Sequence, residues 1–299
     1  MNLSYYIKNP KRLLIRMGRQ TVLRFLSDEQ YVRMMWKINM DYPLDLDHPK
    51  TYNEKLQWIK INDHNPLYTR VVDKYEVKKY VSKIIGEQYI IPTLGVWDSF
   101  DKIDFKLLPD QFVLKCTHDS GGIVICKDKS NFDIDTAKKK INYSLKRKYY
   151  LLNREWPYKN VKPRIIAEKY MEDTTTKELR DYKFFSFNGN VEALFIASDR
   201  QTEGVETKFD FFDKDFNHLD LINGHPNASV PPKKPECFEL MKDLAGKLSK
   251  GFPEVRVDFY EVNGKVYFGE LTLFHWSGFV PFEPHKWDEI FGAWIVLQQ

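Results

Sequence analysis

The sequence has little of what secreted, membrane-spanning or nucleic-acid-binding proteins need. Among its 299 residues are three cysteines, an odd number without a CxxC pair, which disfavours a disulfide framework or a cysteine-based zinc site. It has no apolar run of transmembrane length and no signal-peptide-like start, so we expect a soluble, cytoplasmic protein. The net charge of +4 is too small for a broad basic face, and we expect no nucleic-acid partner.

The positive charge is concentrated at the start of the chain. Residues 1–40 contain eight Lys or Arg and two acidic residues, and eight minus two gives +6. The same segment has apolar residues at helical spacing, which predicts a basic amphipathic helix. Such a helix can make peripheral contact with the inner face of a membrane, whereas the preferred alternative is an ordinary surface helix packed on the core.

The chain as a whole, with 42% hydrophobic residues, is rich enough in them to build a sizeable core. Helices and mostly antiparallel strands alternate without βαβ regularity, so the predicted fold class is α+β. The helices are predicted at 52–62, 73–86, 134–149 and 236–249. The strands are predicted at 90–97, 111–116, 122–126, 164–170, 181–187, 190–197, 254–260 and 265–273.

An apolar strand at 112–116 carries a single lysine and leads into a small polar loop. Lys115 lies among Val, Leu and Cys, and the loop that follows contains Ser120, Gly121 and Gly122. An ammonium group and free backbone N–H groups are what phosphate oxygens bind, so this segment is a candidate phosphate site. An edge strand with its lysine in water remains the alternative, and the GxxxxGK[ST] pattern of a P-loop is missing.

Two carboxylates lie on the last pair of predicted strands. Arg256 and Asp258 alternate with apolar residues on one strand, as Glu270 and Thr272 do on the next. A two-residue turn at Asn263-Gly264 would put the carboxylates on opposite faces, so we predict an odd-length loop, 262–264, that puts them on one face. Converging carboxylates are suitable ligands for Mg²⁺, although a polar outer face of a hairpin is the alternative.

Two further strands carry weaker signals. The run 165–172 passes from apolar to acidic residues, as expected of a hinge beside an adenine ring, although a plain edge strand is the better interpretation of that run alone. On the strand 181–187, Asp181 and Lys183 share a face, so Lys183 is either a second phosphate contact or half of a surface ion pair.

The order of these segments resembles the ATP-grasp superfamily, and most closely its TupA-like branch, named for teichuronopeptide biosynthesis. The resemblance covers roughly residues 45–280 and is carried by the stretches 49–58, 73–77, 112–122, 181–183 and 269–272. It implies two α+β subdomains that grip ATP, after a helical N-terminal region. The implied boundaries are 1–88 for the N-terminal region, 89–172 for the subdomain with the glycine loop, and 173–299 for the subdomain with the metal site.

The resemblance also implies roles for individual residues. ATP would be bound by Lys74, Lys115, Ser120, Gly121, Gly122, Glu168, Lys169, Tyr170, Glu172 and Lys183. Mg²⁺ would be bound by Asp258, Glu270 and Thr272, the last replacing the asparagine that many members have. Arg256 and Lys183 would act in catalysis, and His275 and Trp276 would face the acceptor.

The implied reaction is the ATP-dependent joining of a carboxylate to an amine through an acyl phosphate. In this branch the substrates would be a uronic-acid sugar and an amino acid or amine, in the assembly of a surface polysaccharide. The alternatives are a sugar kinase with the same ATP site, a non-catalytic partner of capsule assembly, and a glycosyltransferase. A glycosyltransferase would need a DxD-type metal motif, and Asp213-Lys214-Asp215 fits that pattern formally but is interpreted as a turn.

Overall fold

A computed structural model describes residues 23–174, 179–199 and 204–297. Of the predicted basic helix, residues 1–22 lie outside the described residues, and the remainder contains helix α1 (Asp28–Asn39). The helix begins with a capping box in which Ser27 and Gln30 bond each other's backbone N–H groups. Its apolar stripe, including Tyr31, Val32 and Trp36, is buried in a cluster with Phe279, so α1 packs on the protein as the surface-helix alternative predicts.

Three helices follow α1. Helix α2 (Tyr52–Asn62) has the predicted bounds and starts with a Thr51–Glu54 capping box. Helix α3 (Leu67–Val72) was not predicted, and α4 (Glu76–Ile85) starts three residues later than expected. The later start has a local cause, because the Asp73 side chain accepts hydrogen bonds from the backbone N–H groups of Tyr75 and Glu76 and forms a turn.

The first sheet contains four antiparallel strands in the order β1-β4-β2-β3. They are β1 (Thr93–Trp97), β2 (Phe112–Cys116), β3 (Ile123–Cys126) and β4 (Ile165–Lys169). Helix α5 (Ile134–Leu145) contributes Ala137 and Ile141 to a small core with Phe112 and Leu114. Alternation along β2 therefore sends these side chains into the core and leaves Lys115 on the other face.

The second sheet contains five antiparallel strands in the order β7-β6-β5-β8-β9. They are β5 (Asp181–Phe187), β6 (Asn190–Ser198), β7 (Lys208–Asp213), β8 (Val255–Val262) and β9 (Lys265–Thr272). Helices α6 (Phe238–Leu248) and α7 (Lys286–Trp294) pack against this sheet. Neither α7 nor β7 was predicted from the sequence. The α+β prediction is confirmed.

The two faces of β5 pack against different helices. On one face, Phe184 packs against Phe238 of α6. On the other face, Phe185 packs against Tyr52 of α2 and Phe291 of α7. Lys183 lies on the same face as Phe185 and is itself buried.

The hairpin between β8 and β9 differs from the prediction. Val262 pairs with Lys265, so the turn is the two-residue Asn263-Gly264 loop, with both residues at positive φ, and the predicted odd loop is wrong. The register instead shifts at a bulge between Asp258 and Phe259, because Phe259 pairs with Phe268 and Asp258 pairs with Glu270. The extra residue is Gly269, and the bulge brings the two carboxylates to one face as expected.

Within the part of the chain that the structure describes, no helix is both long enough and apolar enough to cross a bilayer.

Candidate active site

Strands β2 and β4 bring Lys115 next to a buried carboxylate. Lys115 Nζ lies 2.6 Å from Glu168 Oε2, and the ammonium group of Lys78 on α4 contacts the other carboxylate oxygen. Burial would raise the pKa of Glu168, but Lys115 and Lys78 outweigh it and lower the pKa to about 2. Glu168 is therefore an anion that holds two lysines at one place. Sequence reasoning missed Lys78, since nothing at the sequence level places α4 beside β4.

A cavity of about 190 Å³ opens beside this ion pair. Five residues that were predicted to bind ATP line it together: Lys115, Glu168, Lys169, Tyr170 and Glu172. Its remaining walls are largely apolar and include Val113, Ile123 and Ile125 from the first sheet. Tyr260 of β8 closes it from the second sheet. The cavity therefore combines an apolar slot, suited to a flat base, with cationic groups at its edge.

The glycine loop lies between β2 and β3 and is held from two sides. Gly121 has φ of +110°, and a Cβ at Gly122 would lie 2.2 Å from the Ser144 hydroxyl of α5, so neither position suits a larger residue. The Ser144 hydroxyl donates to the Asp119 carboxylate, and the Lys74 ammonium donates to the Asp119 carbonyl. Lys74 thus contacts the loop backbone, next to Ser120, and is absent from the lining of the 190 Å³ cavity.

The second sheet brings five polar residues together on one face. Lys183 on β5 pairs with Asp258 on β8, which pairs with Glu270 on β9, and Arg256 pairs with Thr272. Arg256 bonds Asp258 through both Nε and Nη2, each at 2.8 Å, which is a bidentate arrangement. The Lys183 ammonium donates to the same carboxylate, and Arg256 Nη2 also donates to Thr272 Oγ1 at 2.9 Å.

Charges in this cluster set its protonation at neutral pH. Burial would raise the pKa of Glu270, but Lys183, Arg256 and Lys74 lower it to about 2. Burial lowers the pKa of Lys183, and Asp258 opposes that shift. Burial would lower the pKa of Arg256, but Asp258 and Glu270 outweigh it and raise it, so the guanidinium stays charged.

The donor set fits a magnesium ion bound in part by other ligands. Asp258 and Glu270 supply hard carboxylate oxygens and Thr272 a hydroxyl, and the Glu270 side chain is 46% exposed. Within the described ranges, no group of three or more His, Cys, Asp or Glu forms a metal cage. Mg²⁺ is typically bound by one or two carboxylates and completed by water and phosphate oxygens, so two carboxylates suffice.

His275 is placed differently from the expectation that it faces an acceptor. It is buried, and its Nδ1 accepts a hydrogen bond of 2.7 Å from Arg256 Nη1 while its Nε2 lies 2.9 Å from Asn223 Oδ1. Burial, Arg256 and Lys183 lower the pKa of His275 well below its usual range, so the ring is neutral. His275 therefore orients Arg256, whereas its neighbour Trp276 is exposed.

The DxD-like segment forms a turn, as it was interpreted from the sequence. Asp213 ends β7, and its Oδ1 accepts hydrogen bonds from the backbone N–H groups of Asp215 and Asn217 at 2.9 and 2.8 Å. Its carboxylate is therefore used to shape the loop. The segment lies outside the lining of the 190 Å³ cavity.

Comparison with solved structures finds ATP-grasp ligases at low sequence identity. D-alanine–D-alanine ligase from Bacillus anthracis, complexed with ATP, is 16% identical over 68% of this chain and 55% of its own, with a TM-score of 0.42. The ATP-grasp ligase PsnB, complexed with minimal precursor, Mg and ADP, is 10% identical over 90% of this chain and 64% of its own, with a TM-score of 0.42. The chain thus spans 55% to 64% of the length of these two ligases.

A sequence search of curated proteins gave no significant match. The family described as TupA-like ATPgrasp matches residues 54–296. This range includes both sheets, the Glu168 ion pairs with Lys78 and Lys115, and the five polar residues on the face of the second sheet. The chain therefore belongs to the TupA-like ATP-grasp family.

Proposed function

We propose that this protein is an ATP- and Mg²⁺-dependent, ADP-forming ligase that joins a carboxylate to an amine. The observation that carries the proposal is the cluster of Lys183, Arg256, Asp258 and Glu270 on one sheet face, next to a slot lined by Lys115. Two fixed cations beside two carboxylates suit a site where phosphate charge must be neutralised while a metal ion is held. Membership in the family supports the same assignment.

In the proposed reaction, a carboxylate oxygen of the first substrate attacks the γ-phosphorus of ATP. The bond from the γ-phosphorus to the bridging oxygen of ADP breaks, which gives an acyl phosphate and ADP. The amine nitrogen then attacks the acyl carbon, the carbon–oxygen bond to phosphate breaks, and phosphate leaves with the proton of the amine. Asp258 and Glu270 would hold Mg²⁺, and the ion would neutralise phosphate charge.

The residues of this chain would act mainly by position and charge. Lys115 and Lys183 would bind phosphate oxygens from the two sheets, and Arg256 would stabilise the negative charge of the transferred group. His275 keeps Arg256 in place through the Nδ1 hydrogen bond. It is a poor candidate for a general base because it is buried and both its ring nitrogens are engaged.

For the substrates, we propose a uronic-acid sugar and an amino acid or amine, in surface-polysaccharide assembly. The support is the TupA-like family, together with the cationic residues available for a substrate carboxylate. A sugar kinase would use the same ATP site and remains the second candidate. A glycosyltransferase is disfavoured, because Asp213 of the DxD-like segment is engaged in a turn.

A thermal-shift panel tests the ATP and metal assignments, with Asp258→Asn as the variant and Asp243→Asn, on the exposed face of α6, as its matched control. We expect Mg²⁺–ATP to raise the melting temperature of wild type and control, and EDTA to reduce the shift. In Asp258→Asn the EDTA-sensitive part of the melting-temperature shift should disappear, and turnover should fall about 100-fold or more. Stabilisation by UDP-sugars alone would overturn the proposal.

Product analysis then separates the ligase from the kinase. Wild type is incubated with Mg²⁺–ATP, D-glucuronate and a set of amino acids, and both ADP release and product mass are measured. A ligase gives a condensation product whose mass is that of the two substrates less one water. ADP is then released only when the amine is present, or is released without amine together with an acyl phosphate that can be trapped. A phosphorylated sugar formed without amine would favour the kinase.

We also propose that residues 1–22 make peripheral contact with a membrane. They contain five Lys or Arg and no acidic residue, whereas the apolar stripe of α1 is already buried by the protein. Removal of residues 1–22 should abolish cosedimentation with anionic vesicles and leave the Mg²⁺–ATP thermal shift intact. Equal cosedimentation of the shortened chain would contradict this assignment.

A further inference from the structure

The segment after β9 has a backbone that needs support. Trp276, Ser277 and Gly278 have φ of +49°, +56° and +65°, which is three successive left-handed residues, two of them not glycine. Such a conformation is unfavourable for a non-glycine residue, because its Cβ approaches the following carbonyl oxygen. Strain of this kind persists where the surrounding structure over-determines it, often at binding and catalytic sites.

Buried side chains from other elements hold this turn. Gln57 Nε2 on α2 donates to the carbonyls of Ser277 and Gly278 at 3.0 and 2.7 Å, and Lys60 Nζ donates to the Ser277 carbonyl at 2.9 Å. The Ser277 hydroxyl donates to buried Glu155. A Cβ at Gly278 would lie 2.4 Å from Gln57 Nε2, so the contact also requires glycine there.

The supported turn exposes one side chain, the indole of Trp276. Trp276 is 40% exposed, although His275 and Ser277 on either side of it are buried. The indole lies nearly parallel to Phe209 of β7, with ring centroids 6.1 Å apart and an angle of 23°, and close to His225. Its nitrogen side rests on Gly224, where a Cβ would lie 2.8 Å from Nε1. The result is an aromatic cluster, the Trp276 platform, in which the half-exposed indole of Trp276 is backed by buried Phe209 and flanked by His225.

The Trp276 platform is joined by aromatic packing to the charged cluster of Lys183, Arg256, Asp258 and Glu270. Phe209 packs against Phe195 at 4.5 Å between centroids, and Phe195 lies under the Arg256 guanidinium at 5.6 Å. Phe195 pairs with Lys183 across β5 and β6, so the aromatic groups share the sheet face of the charged cluster. His275, adjacent to Trp276 in the chain, bonds Arg256. The platform is therefore connected to Arg256 by packing, through His275 and through Phe209 and Phe195.

We propose that the Trp276 platform binds the ring of a sugar substrate, with the sugar carboxylate directed towards Arg256 and Lys183. This deepens the proposed function and rests on it for the role of the carboxylate. A pyranose has a face of polarised C–H groups, which the negative face of an indole attracts, and a carboxylate at the ring edge suits a guanidinium. An exposed tryptophan on a supported, strained turn is a rigid surface for such a ring.

Saturation-transfer NMR on the full chain tests the platform, with D-glucuronate and, separately, L-glutamate as probes, each in the presence of Mg²⁺ and a non-hydrolysable ATP analogue. In wild type we expect saturation of the glucuronate ring protons. Trp276→Leu keeps apolar bulk without a ring face and should reduce that signal at least about fivefold, whereas Trp276→Phe should retain most of it. Leu107→Ala, an exposed apolar position in the first-sheet half, is the control and should leave the signal unchanged.

The outcomes are distinct from those of the ligase assay. The Mg²⁺–ATP thermal shift of both Trp276 variants should equal that of wild type, which shows that they fold and bind nucleotide. If ligation of glucuronate is never seen but its ring saturation still depends on Trp276, the platform stands and the ligase proposal fails. Absence of glucuronate saturation in wild type, saturation of L-glutamate alone, or a signal unaffected by Trp276→Leu would overturn the platform.

Discussion

Glu168 illustrates how a single buried carboxylate organises two strands and a helix. Its ionised carboxylate contacts the ammonium groups of Lys115 from β2 and Lys78 from α4 and supplies their counter-charge beside an apolar slot. A cation so placed is ready for phosphate oxygens without further reorganisation. Sequence reasoning found Lys115 and Glu168 because each is a charged residue on an apolar strand, but their direct contact depends on the β2–β4 register.

Replacement of Glu168 by Gln should destabilise the protein, because two lysines in a partly buried place lose their counter-charge. We expect a loss of about 2–3 kcal/mol in the free energy of unfolding at pH 7, measured by urea denaturation. The carboxyl pKa is depressed in the folded state, so its contribution is present above its unfolded pKa, near 4.5, and is lost as the pH falls towards about 2.

The wild-type advantage over Glu168→Gln should therefore shrink between pH 4.5 and 2. Glu239→Gln is the matched control, because Glu239 pairs with Lys234 and Lys242 on the exposed surface. We expect that control to change stability by less than about 1 kcal/mol. A wild-type advantage that stayed constant across this pH range would contradict the proposed role of the ion pair.

The β8–β9 hairpin shows how an element can reach a predicted arrangement by another route. The predicted Mg²⁺ site requires Asp258 and Glu270 to lie on the same face of the hairpin, and an odd-length loop was expected to place them there. The structure combines a two-residue Asn-Gly turn with a bulge at Gly269, which shifts the alternation by one residue. The two solutions cannot be separated from sequence alone, because a bulge residue needs only backbone freedom and leaves no periodic signal.

Substitution of Gly269 by Val should disturb the metal-binding face. A Cβ at this position would lie 3.1 Å from both the Asp258 carbonyl and the Tyr260 ring, and a β-branched residue favours regular strand pairing. We expect the EDTA-sensitive part of the ATP thermal shift to fall, together with a loss of stability of about 1–3 kcal/mol. Val266→Ile on the same strand provides a control for added bulk, and an unchanged metal dependence in Gly269→Val would argue against the bulge.

On the scale of the whole molecule, the two sheets contribute different parts of one site. The first sheet contributes Lys115 and the apolar slot, the second contributes the Lys183–Arg256–Asp258–Glu270 cluster, and Tyr260 closes the slot from the second side. Helices α2 and α7 pack against Phe185 of the second sheet, and α2 also holds the turn that presents Trp276. The predicted boundaries at 88 and 172 remain a prediction. The core of the second sheet does include Leu56 and Val81 from the helices before residue 88.

The sequence by itself determined the α+β class, most of the strands and the family. These depend on local signals, namely apolar alternation, capping residues, Asn-Gly turns and the order of charged residues along the chain. Only the tertiary structure decided that Lys78 joins Glu168, that His275 is buried against Arg256, and that Trp276 stands on a left-handed turn. Each of these depends on contacts between residues far apart in the chain, and the geometry of such contacts is set by packing rather than by local preference.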